Sequence, residues 1–258
     1  MRFLTATQHH RLPRRPGFAK VGHRNTGNTT MIDNPPLLTI HRGHRRPAKA
    51  LVEAFRLAQT SHVCDAMNGR GALDWRIKPL VAQQSLFVGP ALTCHAYPAD
   101  IVAMFGALAE AEPGDVIVCA NDAFTGTAVF GDLAAAMMRN KGVAAFITDG
   151  LARDKAGIAA TGLPVFCQGI SPNSPARNGP GTVGAPITLG GVHVRSGDIV
   201  VGDQDAVVVV PQEKAEAVLE RLALIRIAEA ETERKVRDGM TMPGFMAEII
   251  AAARIVGG

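Results

Sequence analysis

A chain of 258 residues that is 47% hydrophobic can bury one large core or two small ones. Aromatic residues make up only 5% while glycine occurs 27 times, a balance that suits α/β proteins with closely packed backbones. No apolar run reaches the ~18 to 20 residues of a membrane-spanning helix, so none is expected. The formal charge of +4 hints at a nucleic-acid partner, but only until its distribution is considered.

Residues 1–35 are polar and basic, with no sustained periodicity. Residues 1–30 hold Arg2, Arg11, Arg14, Arg15, Lys20 and Arg24 and no Asp or Glu. Removing these six positive charges from the total of +4 leaves about −2 for the remainder, which weakens any electrostatic case for nucleic acid. An apolar signal-peptide core is missing. The segment reads as a disordered tail, as an upstream extension with Met31 as the natural start, or as an acid-poor transit peptide. Residues 36–258 read as a single domain.

Ala48 to Asn68 follows a helical period, with Thr60-Ser61 separating two helices and Ser61 as cap of the second. Gly69-Arg70-Gly71 ends it. Leu86–Ala96 is a buried strand broken at Gly89-Pro90, Ala99–Ala111 a short helix, and Glu112–Asp115 a turn into the strand Val116–Ala120. Lys155–Thr161 is helical, Pro164–Gln168 a strand and Gly169–Gly184 a loop. Short β runs follow at Ile187–Leu189, Val192–Val194, Ile199–Gly202 and Ala206–Val210, expected to cover one side of a site or to build a subunit interface. A long amphipathic helix from Gln212 to Arg237 and a helical piece at Pro243–Ile255 close the chain.

The stretch from Phe130 to Asp154 organises the rest. Gly131-Asp132-Leu133 opens a helix that Gly142 stops, Val143–Thr148 is a strand, and Asp149-Gly150 turns the chain into Leu151-Ala152-Arg153-Asp154. A helix leaving a sheet edge and a strand running back return the chain to that edge. The helix start can therefore meet Arg153-Asp154. Helix N-termini attract anions, Arg clamps a carboxylate in a planar fork, and Asp can hold a hard divalent cation. Together they suit a small carboxylate next to a metal. The plainer alternatives are a structural Arg153–Asp154 ion pair and Asp132 as a helix-opening acid.

The other motifs carry less. His62, His95 and His193 stand alone on apolar elements, and His9, His10, His23, His41 and His44 lie in or beside the basic segment. Gly179-Pro180-Gly181-Thr182 lacks Walker or Rossmann spacing, no G-x-S-x-G is present, and nothing around Lys155 argues for a depressed pKa. Cys64, Cys94, Cys119 and Cys167 show no C-x-x-C or zinc spacing, and buried free thiols point to a reducing, cytoplasmic setting.

Asp132 followed, after twenty intervening residues, by Arg153-Asp154 resembles the signature of the class II 4-hydroxy-4-methyl-2-oxoglutarate aldolases and the related regulator-of-ribonuclease-activity A (RraA) family. Three further stretches agree with it: Cys64–Gly69, Pro113–Val118 and Gly197–Pro211. The resemblance covers roughly residues 48–230 and implies an RraA-like α/β/α sandwich related to swivelling phosphohistidine-type domains, assembled as trimers or dimers of trimers. It implies a lyase that cleaves a 4-hydroxy-2-oxo acid to pyruvate through an enolate and also decarboxylates oxaloacetate. Asp154 would ligate Mg2+ or Mn2+ with waters as most other ligands, and Asp132 would orient one of those waters for proton relay. Gly131, Asp132, Leu133 and Ala134 would offer backbone N–H groups to the pyruvyl moiety, and Arg153 would bind its keto oxygen. Asn121–Val129 would contribute pocket wall. An acidic group from a neighbouring subunit is also implied, with Glu213 and Glu216 as candidates. The alternative is a non-catalytic regulator that binds a ribonuclease or helicase.

Overall fold

A computed structural model describes residues 34–257; the expectation for the basic N-terminal segment lies almost wholly outside these residues. After β1 (Thr39–Ile40) come the helices α1 (Lys49–Glu53) and α2 (Thr60–Ala66), then β2 (Lys78–Pro79) and the ten-residue β3 (Phe87–Ala96). The central part runs α3 (Val102–Glu110), β4 (Val116–Ala120), β5 (Ala128–Phe130), α4 (Asp132–Lys141), β6 (Ala145–Thr148), β7 (Leu151–Ala152), α5 (Lys155–Thr161) and β8 (Val165–Cys167). The last third holds β9 (Gly181–Val183), β10 (Ile187–Leu189), β11 (Val192–Val194), β12 (Ile199–Gly202), β13 (Val207–Val210), α6 (Ala215–Arg237) and α7 (Phe245–Ala251).

Strands β3, β4, β6 and β8 lie parallel at the centre of a sheet ordered β1-β9-β3-β4-β6-β8-β2. Parallel neighbours require crossovers, and α3, α4 and α5 lie along those between β3, β4, β6 and β8. Alternation along the strands sends Ile117, Cys119 and Phe146 to one face, against Met104, Met138 and Ile158 of these helices. Val116, Val118, Ala145 and Ile147 point to the other face, where they meet Ile187 and Leu189 of β10 and Val207 and Val209 of β13. The outer residues of the β12–β13 pair, Ile199, Val201, Val208 and Val210, pack under Phe55, Val63 and Val218 of the α1, α2 and α6 region. Helices thus form both outer layers of an α/β fold, with β10–β13 as an extra layer on the second face.

Several local expectations are corrected. β3 is not broken at Gly89-Pro90. Its first half pairs with β12 and its second with β4 and β9, so these two residues mark a change of partner. Glycine is required at 89 because a Cβ there would lie 2.3 Å from the carbonyl oxygen of Gly114. β9 falls inside the segment expected to be loop, because its three residues find partners on β3 and β1 that lie far away in sequence. The Gly142 stop of α4 is present in left-handed conformation at φ +81°. The Gly142 N–H donates to Arg139 O and the Val143 N–H to Met138 O, each at 3.0 Å, which satisfies the orphan carbonyls of the last turn. Cys94 and Cys119 sit side by side on β3 and β4, and all four cysteines are free.

Ser61 does not cap α2. The acceptor comes from the β12–β13 turn: Asp203 takes the Thr60 N–H and the Thr60 hydroxyl, each at 2.8 Å, and the Asp205 N–H at 2.9 Å. One carboxylate therefore ties α2 to the far end of the chain. Asp203→Ala is expected to lower unfolding free energy by about 1–2 kcal/mol, whereas Ser61→Ala, at an exposed position, should change it by less than about 0.5 kcal/mol. Denaturant unfolding of the two variants checks the assignment, and the opposite ranking would return the cap to Ser61.

Candidate active site

β5 and β7 form a separate two-stranded parallel sheet, with Ala128 opposite Leu151 and Phe130 opposite Ala152. The ring of Phe130 stacks on that of Phe146 at 4.0 Å between centroids, which fixes the end of β5 on the core. At that end the Arg153 N–H donates to Phe130 O at 2.9 Å. The chain then enters α4 on one side and Arg153-Asp154 on the other. The two parts of the sequence motif are thus brought together, with β5–β7 pairing joining them.

Gly131 precedes α4 with extended backbone. A Cβ at this position would come within 2.9 Å of Asp154 Oδ2 and 3.4 Å of Arg153 Nε, so the glycine lets the motif close on itself. On the other side, a Cβ at Gly157 would fall 2.6 Å from Asp132 Oδ2; α5 presents a gap against which the Asp132 side chain rests. Asp132 Oδ1 accepts the Leu133 N–H at 2.7 Å. The opening N–H groups of a helix have no intrahelical acceptor, and Gly131, Asp132, Leu133 and Ala134 all line one cavity with Arg153 and Asp154.

Asp154 sits at the N-cap of α5 in left-handed conformation, φ +57°, and its carboxylate makes no capping hydrogen bond. A non-glycine residue held there carries strain that tends to accumulate at functional positions, and a cap acid that does not cap keeps its oxygens for something else. Its Oδ2 lies 3.2 Å from Arg153 Nε, with 45% of the side chain exposed. Arg153 Nη1 donates to Ser174 Oγ at 2.6 Å. Asp132 and Asp154 are the two acids lining the cavity. Among the described residues no three His, Cys, Asp or Glu side chains gather as a ligand cluster. Sparse hard oxygen donors fit a small divalent cation that keeps most of its waters, as Mg2+ does.

The cavity measures about 260 Å³, below the roughly 300–1,000 Å³ of sites for drug-sized ligands, and so suits a metabolite-sized acid. Ile101, Met104, Phe105 and Met137 supply an apolar wall from the α3 and α4 side, and Ser174, Pro175 and Arg177 close it from the segment between β8 and β9. These seven residues were not singled out by sequence reasoning. The wall residues read as ordinary core positions, and the segment after β8 carries no motif.

Other expectations change. Of the Asn121–Val129 stretch only Val129 lines the cavity. Asp122 Oδ1 instead accepts from His95 Nε2 at 2.9 Å at a separate surface. Asp149 is no simple turn residue: it is buried and accepts the N–H groups of Asn121 and Ala123 at 2.6 and 3.0 Å. Burial pushes its carboxyl up from the ordinary carboxylate range against those bonds. Strands β10–β13 lie over the opposite face of the sheet and do not cover the site. Glu213 and Glu216, expected to serve the site of a neighbouring subunit, lie outside this chain's own cavity, and Glu213 lies 3.7 Å from Arg195.

Comparison with known proteins identifies the family. The RraA-like family model, described as Aldolase/RraA, matches residues 60–209. A Halalkalibacterium halodurans protein named "Putative 4-hydroxy-4-methyl-2-oxoglutarate aldolase" is 34% identical over 200 residues, 77% of this chain and 95% of that one. Among solved structures, Streptomyces coelicolor RraAS2, described as an unusual member of the RNase ES inhibitor RraA protein family, superposes with a TM-score of 0.65 at 27% identity, covering 74% of this chain and all of that one. An uncharacterized protein from Pseudomonas syringae pv. tomato reaches a TM-score of 0.68 at 24% identity, covering 77% of this chain and 97% of that chain, and speaks for the fold alone. With a matched segment that spans both halves of the cavity motif, the chain belongs to the RraA-like family.

Proposed function

We propose that the chain is a divalent-metal-dependent carbon–carbon lyase. It cleaves a 4-hydroxy-2-oxo acid of the 4-hydroxy-4-methyl-2-oxoglutarate type to pyruvate, and it decarboxylates oxaloacetate at the same site. The observation that carries this reading is the closure of Arg153-Asp154 onto the opening of α4 within one small cavity. The aldolase name borne by the Halalkalibacterium halodurans relative supports it.

Both reactions generate the enolate of pyruvate, and the charge that develops on the former keto oxygen must be met by preorganised positive groups. Arg153 presents its guanidinium there, with Asp154 and Ser174 fixing its plane. The pyruvyl carboxylate is received by backbone N–H groups of Gly131, Asp132, Leu133 and Ala134, the Leu133 N–H leaving Asp132 Oδ1 for the ligand, where the helix dipole favours negative charge. Asp154 would hold Mg2+ or Mn2+, which when bound supplies Lewis-acid charge stabilisation without a covalent intermediate. In the aldol cleavage Asp132 takes the C4 hydroxyl proton and returns it to the enolate carbon, directly or through a water; in the decarboxylation the enolate carbon takes its proton from water by way of Asp132.

A regulator of the RraA kind is the second reading, favoured by the likeness to Streptomyces coelicolor RraAS2. Such a role makes no use of a strained, uncapping Asp154 inside a cavity, so the lyase is placed first. We further infer a homotrimer or hexamer in the cytoplasm. Free thiols at all four cysteines fit a reducing setting, and exposed Leu224, Ile227, Phe245 and Ile249 on α6 and α7 fit assembly. No helix of the described residues is long and apolar enough to cross a membrane.

Pyruvate release from oxaloacetate and from 4-hydroxy-4-methyl-2-oxoglutarate, followed with Mg2+ or Mn2+ and then with EDTA, tests the reading directly. Release that chelation abolishes and metal restores is expected; release indifferent to EDTA would overturn the metal role. Asp154→Asn tolerates the left-handed backbone and should keep the melting temperature while lowering metal-dependent turnover about 100-fold or more. Turnover at the wild-type rate would remove Asp154 from the site. Arg153→Lys retains the charge but loses the planar fork, and kcat/KM is expected to fall about 10–100-fold.

A further inference from the structure

We propose that Arg177 determines substrate choice: its guanidinium receives a second carboxylate at the end of the substrate away from the 2-oxo group, so that the cavity favours 2-oxo dicarboxylic acids over monocarboxylic ones. The proposal rests on the lyase reading for what happens at the 2-oxo end, and extends it to the other end.

The two arginines of the cavity stand in different circumstances. Arg153 is engaged by Asp154 and Ser174. Arg177 lines the same cavity, and among the described residues its side chain has neither ion pair nor hydrogen bond. Asp132 and Asp154, the acids that could neutralise it, are occupied with the Leu133 N–H and with Arg153. Arg177 is therefore the cation of the lining left for a ligand.

Its backbone, in contrast, is pinned on both sides. The Ala176 N–H donates to Ala99 O at 2.6 Å. The Asn178 and Gly179 N–H groups donate to Asp100 Oδ2 at 2.6 and 3.0 Å. Asp100 is buried, 3% exposed, and its Oδ1 takes the Val102 N–H at 2.7 Å. One buried carboxylate thus holds the segment carrying Arg177 to the first turn of α3. The following residues of α3, Met104 and Phe105, belong to the apolar wall. A fixed backbone with a free guanidinium is suited to select a ligand, because little main-chain entropy is lost on binding. Beside the two arginines the same lining offers Ile101, Met104, Phe105 and Met137 to a carbon chain. A lining with two guanidinium cations and an apolar wall suits a short dicarboxylate, two anionic ends joined by a few carbons. A planar guanidinium grips a carboxylate with two parallel bonds.

The test compares two probes that share the 2-oxo carboxylate end and differ at the other: 2-oxoglutarate and 2-oxobutanoate. Calorimetric titration in Mg2+ should show wild type binding 2-oxoglutarate the more tightly. Arg177→Gln should reduce that preference about 10-fold or more, and Arg177→Lys should restore part of it. Turnover gives a second measure. The ratio of kcat/KM for 4-hydroxy-4-methyl-2-oxoglutarate over 4-hydroxy-2-oxopentanoate should fall about 10-fold or more in Arg177→Gln, chiefly through KM. Equal weakening of both probes would reduce Arg177 to a piece of cavity wall and overturn the proposal, as would an unchanged preference. Preference for 2-oxoglutarate that depends on Arg177 in a protein releasing no pyruvate would sink the lyase reading and leave the assignment of Arg177 standing. Wild type that binds neither probe would overturn both.

Discussion

The parallel pairing of β5 with β7 is the contact on which the candidate site depends. These strands have only three and two residues, too few to hold together in isolation. They persist because their side chains are buried in the main core and because Phe130 stacks on Phe146 of β6. The hydrogen bond from Arg153 N–H to Phe130 O is the last rung of this ladder. Without it, the helix that presents Gly131 to Ala134 and the loop that presents Arg153 and Asp154 would have no common reference. Gly131 and Gly157 complete the approach by leaving out the carbon atoms that would keep the two halves apart.

Carboxylates do two kinds of work in this molecule, and their hydrogen bonds tell them apart. Asp100, Asp149 and Asp198 are buried, and each accepts backbone N–H groups of connecting segments. Asp198, for example, takes Arg195 N–H at 2.8 Å and Gln212 N–H at 3.0 Å. A buried acid must have its oxygens satisfied, and satisfying them with loop amides turns each acid into a clamp between elements distant in sequence. Asp154 is of the other kind. It occupies a helix cap without capping, in a backbone region that asparagine and aspartate tolerate only at some cost, and its carboxylate faces a cavity. The contrast separates structural acids from candidate ligands without reference to any relative.

The same clamps explain how connecting segments without regular structure build a shaped cavity. Residues 169–180 hold almost no secondary structure, yet Asp100 anchors Asn178 and Gly179. Asn173 is fixed by bonds to Ala128 and Gly126. Ser174 and Arg177 are thereby carried on a segment secured near each end by hydrogen bonds.

The sequence by itself was enough for the α/β class, the helix from Asp132 to the Gly142 stop, the short β runs from Ile187 to Val210 and the pairing of Asp132 with Arg153-Asp154 as a single motif. These are local signals: hydrophobic period, a left-handed glycine, and a spacing set by one helix and one strand. Only the tertiary structure decided the rest. Asp203 caps α2 from 143 residues away, Gly89 exists to admit the Gly114 carbonyl, and β9 is a strand only because β3 and β1 accept it. Arg177 meets Arg153 in one cavity because Asp100 holds the chain there. Such facts depend on partners far along the chain, and no window of neighbouring residues contains the physical cause.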